Sequence, residues 1–528
     1  MEPKLLSQEL LNSENNDILS KFNSIPRYSR DLTTTPNRIA HIGVGGFHRS
    51  HMALYLHEFL NRESQAHPSK IPPWCIVGVG ITPNDHTMQN ALMSQNYLYT
   101  LVERVGRRES FHVVGSIFDM VTNESGSTAP CVNVLAEKTT KIISLTITPS
   151  GYSLNAAMTL NVEDPLVKSD VQLVASNRGS TTPSSPRTAV GVILESLRLR
   201  RVHGVGGVTV LSCDNIQHNG RVIEAAILAF SRAQEEAGGE KGMHSWIQQS
   251  CTFPNTMVDR ITPATQDRDR QHIKSVYGIQ DKCPVVSEGF RQWVIEDRFV
   301  GGCRPGWDGL EGVKFTPNVA PYEKMKLRLL NGSHLAVACL GDLKGISSID
   351  EALRWPLLQA FMRALMADEV TPTIPPVEGI NLNAYRETLV ERFANDAIKD
   401  QVLRVATDAP VAVILDSLRD RRVQSNRTPL LALVIASWLR RQRGGLNESG
   451  QEIKVIHPFA DRLKELGNLN PVDPRPQLGI REIFGNIVED EEVVQQVAFY
   501  LGLLHSRGVA SAIEHALSVS KNSRKAAL

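Results

Sequence analysis

No run of apolar residues in this chain approaches the ~20 needed to cross a bilayer as a helix, so no membrane anchor is expected. Charge of one sign is also missing. Fifty-seven Lys and Arg against fifty-six Asp and Glu leave a net charge of +1, which supports neither a nucleic acid nor an anionic membrane as partner. The seven cysteines, Cys75, Cys131, Cys213, Cys251, Cys283, Cys303 and Cys339, are scattered and odd in number, with no C-x-x-C pair. That pattern offers neither a disulfide framework nor a zinc site and fits a reducing, cytoplasmic compartment. No internal repeat or sustained low-complexity tract is visible. The opening MEPKLLSQELLNSENND is acidic and polar, unlike a signal peptide, and the terminal Lys525-Ala526-Ala527-Leu528 is not an S-K-L address.

The chain has 528 residues, enough for two sizeable cores, and its 41% apolar and 21% charged residues place it among globular proteins. Residues 1–37 read as a polar leader with room for one short helix. A buried strand is expected at Ile39–Gly43, a helix at His48–Leu60 and a second strand at Trp74–Ile81. Further strand-like runs follow at Phe111–Ile117, Ile142–Thr148 and Val208–Cys213, with a helix at Thr188–Arg201 after a Ser/Thr/Pro loop. Strands alternating with helices imply α/β architecture with a mainly parallel sheet. Past about residue 290 long helical patterns dominate, among them Tyr322–Leu340, Ile349–Met366, Tyr385–Phe393, Pro429–Arg441 and Glu491–His505.

Gly43-Val44-Gly45-Gly46-Phe47-His48 joins the first strand to the first helix. Glycines there permit a tight turn and close approach of a pyrophosphate, and the helix N-terminus faces that anion with free N–H groups. The third glycine of the dinucleotide fingerprint is replaced by His48, and Asp85, past the second strand, is a weak candidate for the ribose contact. A structural strand–helix turn would look similar.

The strongest chemical pattern is Glu323-Lys324-Met325-Lys326-Leu327-Arg328-Leu329-Leu330-Asn331-Gly332-Ser333-His334. At about 100° per residue, Lys326, His334 and Asn331 fall at about 0°, 80° and 140°, on one side of a helix apolar on most faces. A desolvated lysine amine is pushed toward its neutral form and can take a proton from a hydroxyl. Asn331 can donate to the oxygen left behind, and His334 can hold a neighbouring hydroxyl. A snorkelling lysine beside a capping asparagine is the plainer alternative. Asp214-Asn215 ends a buried strand, where ligand-binding groups of open α/β sheets collect, although Asp and Asn also favour turns. Asn215 is a candidate second donor. Asn255–Pro263 mixes charge with apolar residues and could equally hold a structural Asp–Arg pair.

Taken in order, these motifs resemble the long-chain mannitol dehydrogenase and fructuronate reductase family of polyol dehydrogenases. The resemblance runs from about residue 38 to about residue 515 through I-A-H-I-G-V-G-G-F-H-R-S-H, V-L-S-C-D-N-I-Q-H-N-G, P-N-T-M-V-D-R-I-T-P, V-V-S-E-G-F-R-Q-W-V-I-E-D, K-L-R-L-L-N-G-S-H and E-R-F-A-N-D-A-I-K-D-Q-V-L-R. It implies a Rossmann-type dinucleotide-binding domain followed by a mostly α-helical substrate domain. With the leader and a polar tail, the expected division is 1–37, 38–250, 251–515 and 516–528. It also implies NAD as cofactor, with NADP open, no metal, a small polyol or ketose substrate and a monomer. Lys326 would be the general base, and Asn215 and Asn331 the oxyanion donors. His334 would position substrate, and Val258, Asp259 and Arg404 would line the substrate side. Glu323 would lie on a proton path. Ile39, Ile42, Gly43, Val44, Gly45, Gly46, Phe47 and His48 would carry the cofactor.

The chain departs from the family after Arg404. An Asp-Gly-Ser segment ending in a substrate-contacting lysine becomes Asp408-Ala409-Pro410-Val411-Ala412, with Ala412 at the lysine's place on an ungapped count. An Asn-Pro pair likewise becomes Asn395-Asp396. The leading expectation is D-mannitol oxidation to D-fructose. A mannonate, hexuronate or arabinitol oxidoreductase is the alternative within the class, and a non-catalytic nucleotide-binding paralogue the alternative outside it.

Overall fold

A computed structural model describes residues 3–12, 16–30, 37–67, 72–155, 158–424 and 427–527; parts of the expected leader, 1–2, 13–15 and 31–36, lie outside the described residues. The chain divides into two compact units, Met1–Val319 and Ala320–Leu528.

In the first unit, β1 (Asn37–Ile42), β2 (Trp74–Gly80), β3 (Ile117–Thr122), β4 (Thr140–Leu145) and β5 (Thr209–Ser212) form one sheet in the order β3-β2-β1-β4-β5. Every neighbouring pair is parallel, with Ile39 opposite Ile76 on one side and Ile142 on the other. Strands buried on both faces need continuous apolar runs, and every residue of β2 is buried. The order reverses between β1 and β4, where a doubly wound sheet opens a crevice at its carboxyl edge. Helix α1 (Gly46–Ser50) and the longer α2 (Met52–Ala66) follow β1, α3 (Asp85–Met93) follows β2, and α4 (Ala189–Val202) packs against the sheet core.

The Ser/Thr/Pro loop before α4 is fastened from beneath. Glu195 and Arg198, both almost wholly buried, form an ion pair at 2.8 Å. Arg198 Nη1 donates to Ser180 O at 2.7 Å, and Glu195 accepts from Asn177 Nδ2 and Ser184 N, each at 2.7 Å. The expected leader is also less peripheral than its polarity implies. Leu6, Leu10 and Ile18 are buried against Val102, Phe111 and Ile273 in a small second core.

The expected boundary at 250/251 falls inside this unit. Beyond it, β6 (Thr256–Asp259), β7 (Gln292–Glu296) and β8 (Val313–Thr316) make a mixed sheet in which β7 runs antiparallel to β6 and parallel to β8. Val285–Glu288 pairs in parallel with Tyr99–Val105, which ties the segment back to the first half of the chain. Composition changes near residue 290, but backbone pairing at long range decides the division.

The second unit is helical. Helix α5 (Ala320–Met325) runs through a π-helical turn, Lys326–Asn331, into α6 (Gly332–Lys344). Then come α7 (Val402–Asp408), α8 (Ala412–Val423) and α9 (Pro429–Gln442), with α6 packing on both α7 and α9. Almost every residue of α9 is buried, as suits a helix apolar on all sides at the centre of a bundle. The expected polar tail is the end of a last helix, Gly508–Ala527, with Ala512, Ile513 and Ala516 fully buried; residue 528 lies outside the described residues.

Glu369 sits under the N-terminus of α9 and accepts from Leu430 N at 2.9 Å and Leu431 N at 2.8 Å. Burial outweighs these bonds and pushes its carboxyl up to about 7. The folded-state value lies above the ordinary 4.5, so between about pH 4.5 and 7 the folded unit holds a proton that the unfolded chain releases. This group's contribution to stability therefore falls as pH rises through that window. Glu369→Gln cannot ionise, and the difference in thermal midpoint between variant and wild type should grow in the variant's favour from pH 4.5 to 7. Parallel midpoint-against-pH curves would refute this.

Candidate active-site residues on the two units

In the first unit the glycine turn has the geometry of an anion cradle. Gly43 has φ +92°, and a Cβ there would lie 2.3 Å from Thr146 O, so neither the conformation nor the space admits a side chain. Gly45 N donates to Gly43 O at 2.7 Å and closes the turn. A Cβ on Gly45 would meet nothing nearer than Gly43 O at 4.0 Å, so the exposed side of the turn is open to a ligand. Ile39, Ile42 and Val44 are core residues, at most 4% exposed, which leaves mainly their backbone for a cofactor. Phe47 stacks on His51 with ring centres 4.9 Å apart.

His48 explains how the fingerprint loses its third glycine. Glycine there allows close packing of helix on strand. Here the buried His48 ring lies flat on His41 of β1, with centroids 3.4 Å apart and planes 13° from parallel. His41 is itself engaged, Nδ1 with Ser144 Oγ at 2.8 Å and Nε2 with Thr146 Oγ1 at 3.0 Å. Burial holds His41 down to about 3 and His48 well below its ordinary value, so two neutral rings stack without charge repulsion.

Asp85 heads α3 just past the end of β2. Its Oδ2 accepts from Thr82 N and Thr82 Oγ1, both at 2.8 Å, so the carboxylate shapes its own turn. Asn215 is exposed beyond β5, on a turn pinned by its neighbour. Asp214 is 7% exposed and accepts from Ile147 N, Thr148 N and Tyr152 Oη at 2.8–3.1 Å, joining the ends of β4 and β5. Val258 and Asp259 end β6, each 4% exposed, with Asp259 opposite Gln292 and Val258 opposite Trp293. Arg260, considered above as half of an Asp–Arg pair, reaches Glu103 and donates from Nε to Glu288 O at 3.1 Å.

In the second unit Glu323, Lys326, Asn331 and His334 share one continuous helix, and the π turn changes their alignment. With i→i+5 bonding each residue turns an ideal helix by only about 82°, which would put Asn331 about 50° from Lys326 instead of about 140°. Three α-helical steps of about 100° then bring His334 back to within about 10° of Lys326. The spread of the three groups shrinks from about 140° to about 60°. Glu323, Lys326 and His334 are 4%, 7% and 7% exposed, so this face is largely withdrawn from water.

The π turn is braced from outside. Arg328 Nη1 donates to Asp420 of α8 at 2.6 Å and to Thr373 O at 3.0 Å, and Lys324 Nζ reaches the same Asp420 at 3.3 Å. Burial alone would raise the Asp420 carboxyl, but the two cations hold it below its ordinary value. His334 lies flat against Phe393, centroids 4.3 Å apart, with Nε2 3.6 Å from Asp400. Asp400 in turn binds Arg404 on α7. Neither the π turn nor Asp400 was singled out from the sequence. The only visible trace of Asp400 is the Asp/Arg pair four residues apart in D-Q-V-L-R. Among the described residues, no group of three or more His, Cys, Asp or Glu could hold a metal ion.

Two family models match the chain. One is described as the mannitol dehydrogenase Rossmann domain, over residues 37–309, and the other as the mannitol dehydrogenase C-terminal domain, over residues 318–503. Mannitol dehydrogenase 2 of Saccharomyces cerevisiae is 35% identical over 514 residues, 96% of this chain and 97% of its own. D-Mannonate oxidoreductase of Escherichia coli is 36% identical over 473 residues, 86% of this chain and 92% of its own. The solved ternary complex of Pseudomonas fluorescens mannitol 2-dehydrogenase with NAD and D-mannitol has a TM-score of 0.81 and 36% identity, covering 98% of this chain and 99% of that one.

The glycine turn is testable apart from turnover. Gly43→Ala meets both the left-handed backbone and the Thr146 carbonyl, and should destabilise the first unit by more than about 1 kcal/mol and abolish tight NADH binding. Urea unfolding and NADH fluorescence titration check this. A variant of unchanged stability that binds NADH like wild type would show that the turn does not have this geometry.

Proposed function

We propose, since the chain belongs to the mannitol dehydrogenase family, that it transfers a hydride between a polyol secondary alcohol and NAD, with D-mannitol and D-fructose as the leading pair. NADP is the alternative cofactor. The observation that carries the chemistry is the π turn Lys326–Asn331 in the buried helix that carries Lys326, Asn331 and His334. The reading is further supported by the relatives named mannitol dehydrogenase and by the solved complex that holds NAD and D-mannitol.

In this reading Lys326 is the general base. Burial disfavours its ammonium form, and the neutral amine takes the proton from the reacting hydroxyl. Asn331 donates a hydrogen bond to the oxygen as negative charge grows on it, and Asn215 is assigned the second donor. His334 holds a neighbouring hydroxyl, and Val258, Asp259 and Arg404 contact substrate. Glu323, one turn before Lys326, receives the proton on its way to solvent. When bound, NAD supplies the hydride acceptor; the Gly43–Gly46 turn would hold its pyrophosphate, and Asp85 is the proposed ribose contact. The two amides and the lysine do the polarising work that a Lewis-acid metal does elsewhere, and losing one such donor typically costs about 10²–10³-fold in rate.

Mannonate, hexuronate or arabinitol oxidoreduction is the second reading within the class, supported for mannonate by the E. coli relative. Ala412 is the exposed first residue of α8, where an alanine offers no donor to a hydroxyl or carboxylate. A cytoplasmic location and a monomeric state complete the proposal, the location supported by seven unpaired cysteines, six of them buried.

Three outcomes are expected. Lys326→Ala lowers kcat for mannitol oxidation by at least about 10³-fold while NADH still binds; near-wild-type turnover of the folded variant would sink the mechanism. Exhaustive chelation leaves activity intact, and a stoichiometric metal whose removal abolishes turnover would overturn the metal-free reading. Ala412→Lys lowers the KM for hexitols by roughly 2- to 150-fold and leaves the cofactor constant unchanged. Steady-state kinetics on mannitol, sorbitol, arabinitol and fructose with both cofactors decide the last point. A tight native KM for mannitol that the substitution does not improve would show that this contact matters little.

A further inference from the structure

Asp400 is 7% exposed and lies against two residues assigned above to substrate, although the proposed reaction gives it no step. Its Oδ1 accepts from Arg404 Nε at 2.8 Å, and Oδ2 accepts from Arg404 Nη2. The same Oδ2 stands 3.6 Å from His334 Nε2. One buried carboxylate thus faces both an imidazole and a guanidinium.

Its own position is fixed through the backbone. Asp400 O accepts from Ile349 N at 2.9 Å, Val402 N donates to Ser347 O at 3.0 Å, and Gln401 bridges to Ser348. The carboxylate is therefore held just before α7 by the segment that follows α6, the helix that carries His334. On the other side Phe393 stacks on the imidazole, so the ring lies between an aromatic face and an acid. Burial alone would lower the Arg404 guanidinium, but Asp400 and Asp408 hold it above its ordinary value, so Arg404 keeps its charge.

We propose that Asp400 is a positioning residue that fixes the tautomer of His334 and the aim of Arg404 for substrate. This rests on the reading of His334 and Arg404 as substrate-contacting groups. A carboxylate opposite Nε2 favours the imidazole protonated there and leaves Nδ1 as the acceptor for a substrate hydroxyl. The bidentate clamp on Nε and Nη2 removes most of the rotational freedom of Arg404 before substrate arrives, while Nη1 donates to Asp408 Oδ2 at 3.2 Å on the other side. Misplacing such groups by about 1 Å can cost about 10²-fold in turnover efficiency.

The test is a mutant cycle on the full-length protein with NAD, using Asp400→Asn, His334→Ala, Arg404→Ala and the two double variants that contain Asp400→Asn. Asp400→Asn is expected to lower kcat/KM for mannitol by about 10²-fold and to leave NADH affinity within about twofold. In each double variant the combined loss should fall well short of the product of the single losses, because the partner through which Asp400 acts is already gone. Losses that simply multiply, or a fall in NADH affinity that tracks the loss of turnover, would overturn the proposal. Should Asp400→Asn not fold, Asp400→Glu keeps the carboxylate and is expected to retain more activity than Asp400→Ala; equal loss in both would count against it.

A second readout separates this inference from the reaction itself. In protein labelled with ¹⁵N-histidine, the His334 signal, assigned by its loss in His334→Ala, should report Nε2 protonated in wild type and a changed tautomer mixture in Asp400→Asn. An unchanged pattern refutes the positioning role. Absence of wild-type turnover on every polyol and sugar acid would instead refute the proposed reaction, and the imidazole signal would still decide the role of Asp400.

Discussion

In the proposed reaction Lys326 must be neutral to act as a base, and burial of its amine is the physical constraint on which that reading rests. Lys326 is 7% exposed on a helix whose continuation, α6, is buried along nearly its whole length. Such a helix cannot turn a polar face to solvent, so its few polar groups must satisfy one another or a ligand. A π turn is a poorly bonded form, and mid-helix π segments persist where the surroundings enforce them. Here the enforcing contacts are Arg328 to Asp420 and to Thr373 O. They brace the turn that joins Lys326 and Asn331 to the helix of His334.

The first unit meets a different constraint with similar economy. The turn proposed to cradle a pyrophosphate needs backbone without a side chain, and Gly43 supplies it where a Cβ would strike Thr146 O. The helix behind the cradle must then pack closely on β1. A stacked pair of neutral imidazoles, His41 and His48, does this where the usual device is another glycine. The neutrality of both rings follows from their burial.

Much of this was legible in the residues. The run Ile39–Gly43 followed by glycines reads as strand and turn, and Trp74–Ile81 as a buried strand, because apolar continuity in a parallel sheet is a strong local signal. The clustering of Lys326, Asn331 and His334 was visible too, but only coarsely, because regular α-helical spacing spreads them over about 140°. The tightening comes from Asp420, nearly a hundred residues away, and no local pattern contains it. The division of the chain at Val319 escaped for the same reason: Val285–Glu288 pairs with Tyr99–Val105, and a strand partner that distant leaves no trace in composition. Leu6, Leu10 and Ile18 were hidden in a leader whose polarity masks three core residues. Asp400 was not singled out, because burial is a property of the fold and not of the residue.

The account stands or falls on Lys326 as the proton acceptor, and chemical rescue tests that most directly. Lys326→Ala protein, folded and able to bind NADH, is assayed for mannitol oxidation in the presence of small primary amines at fixed pH. The account predicts turnover that rises with the concentration of the neutral amine and is strongest for amines whose pKa lies near the working pH. Substantial turnover by the variant with no amine present, unchanged when amines are added, would contradict it.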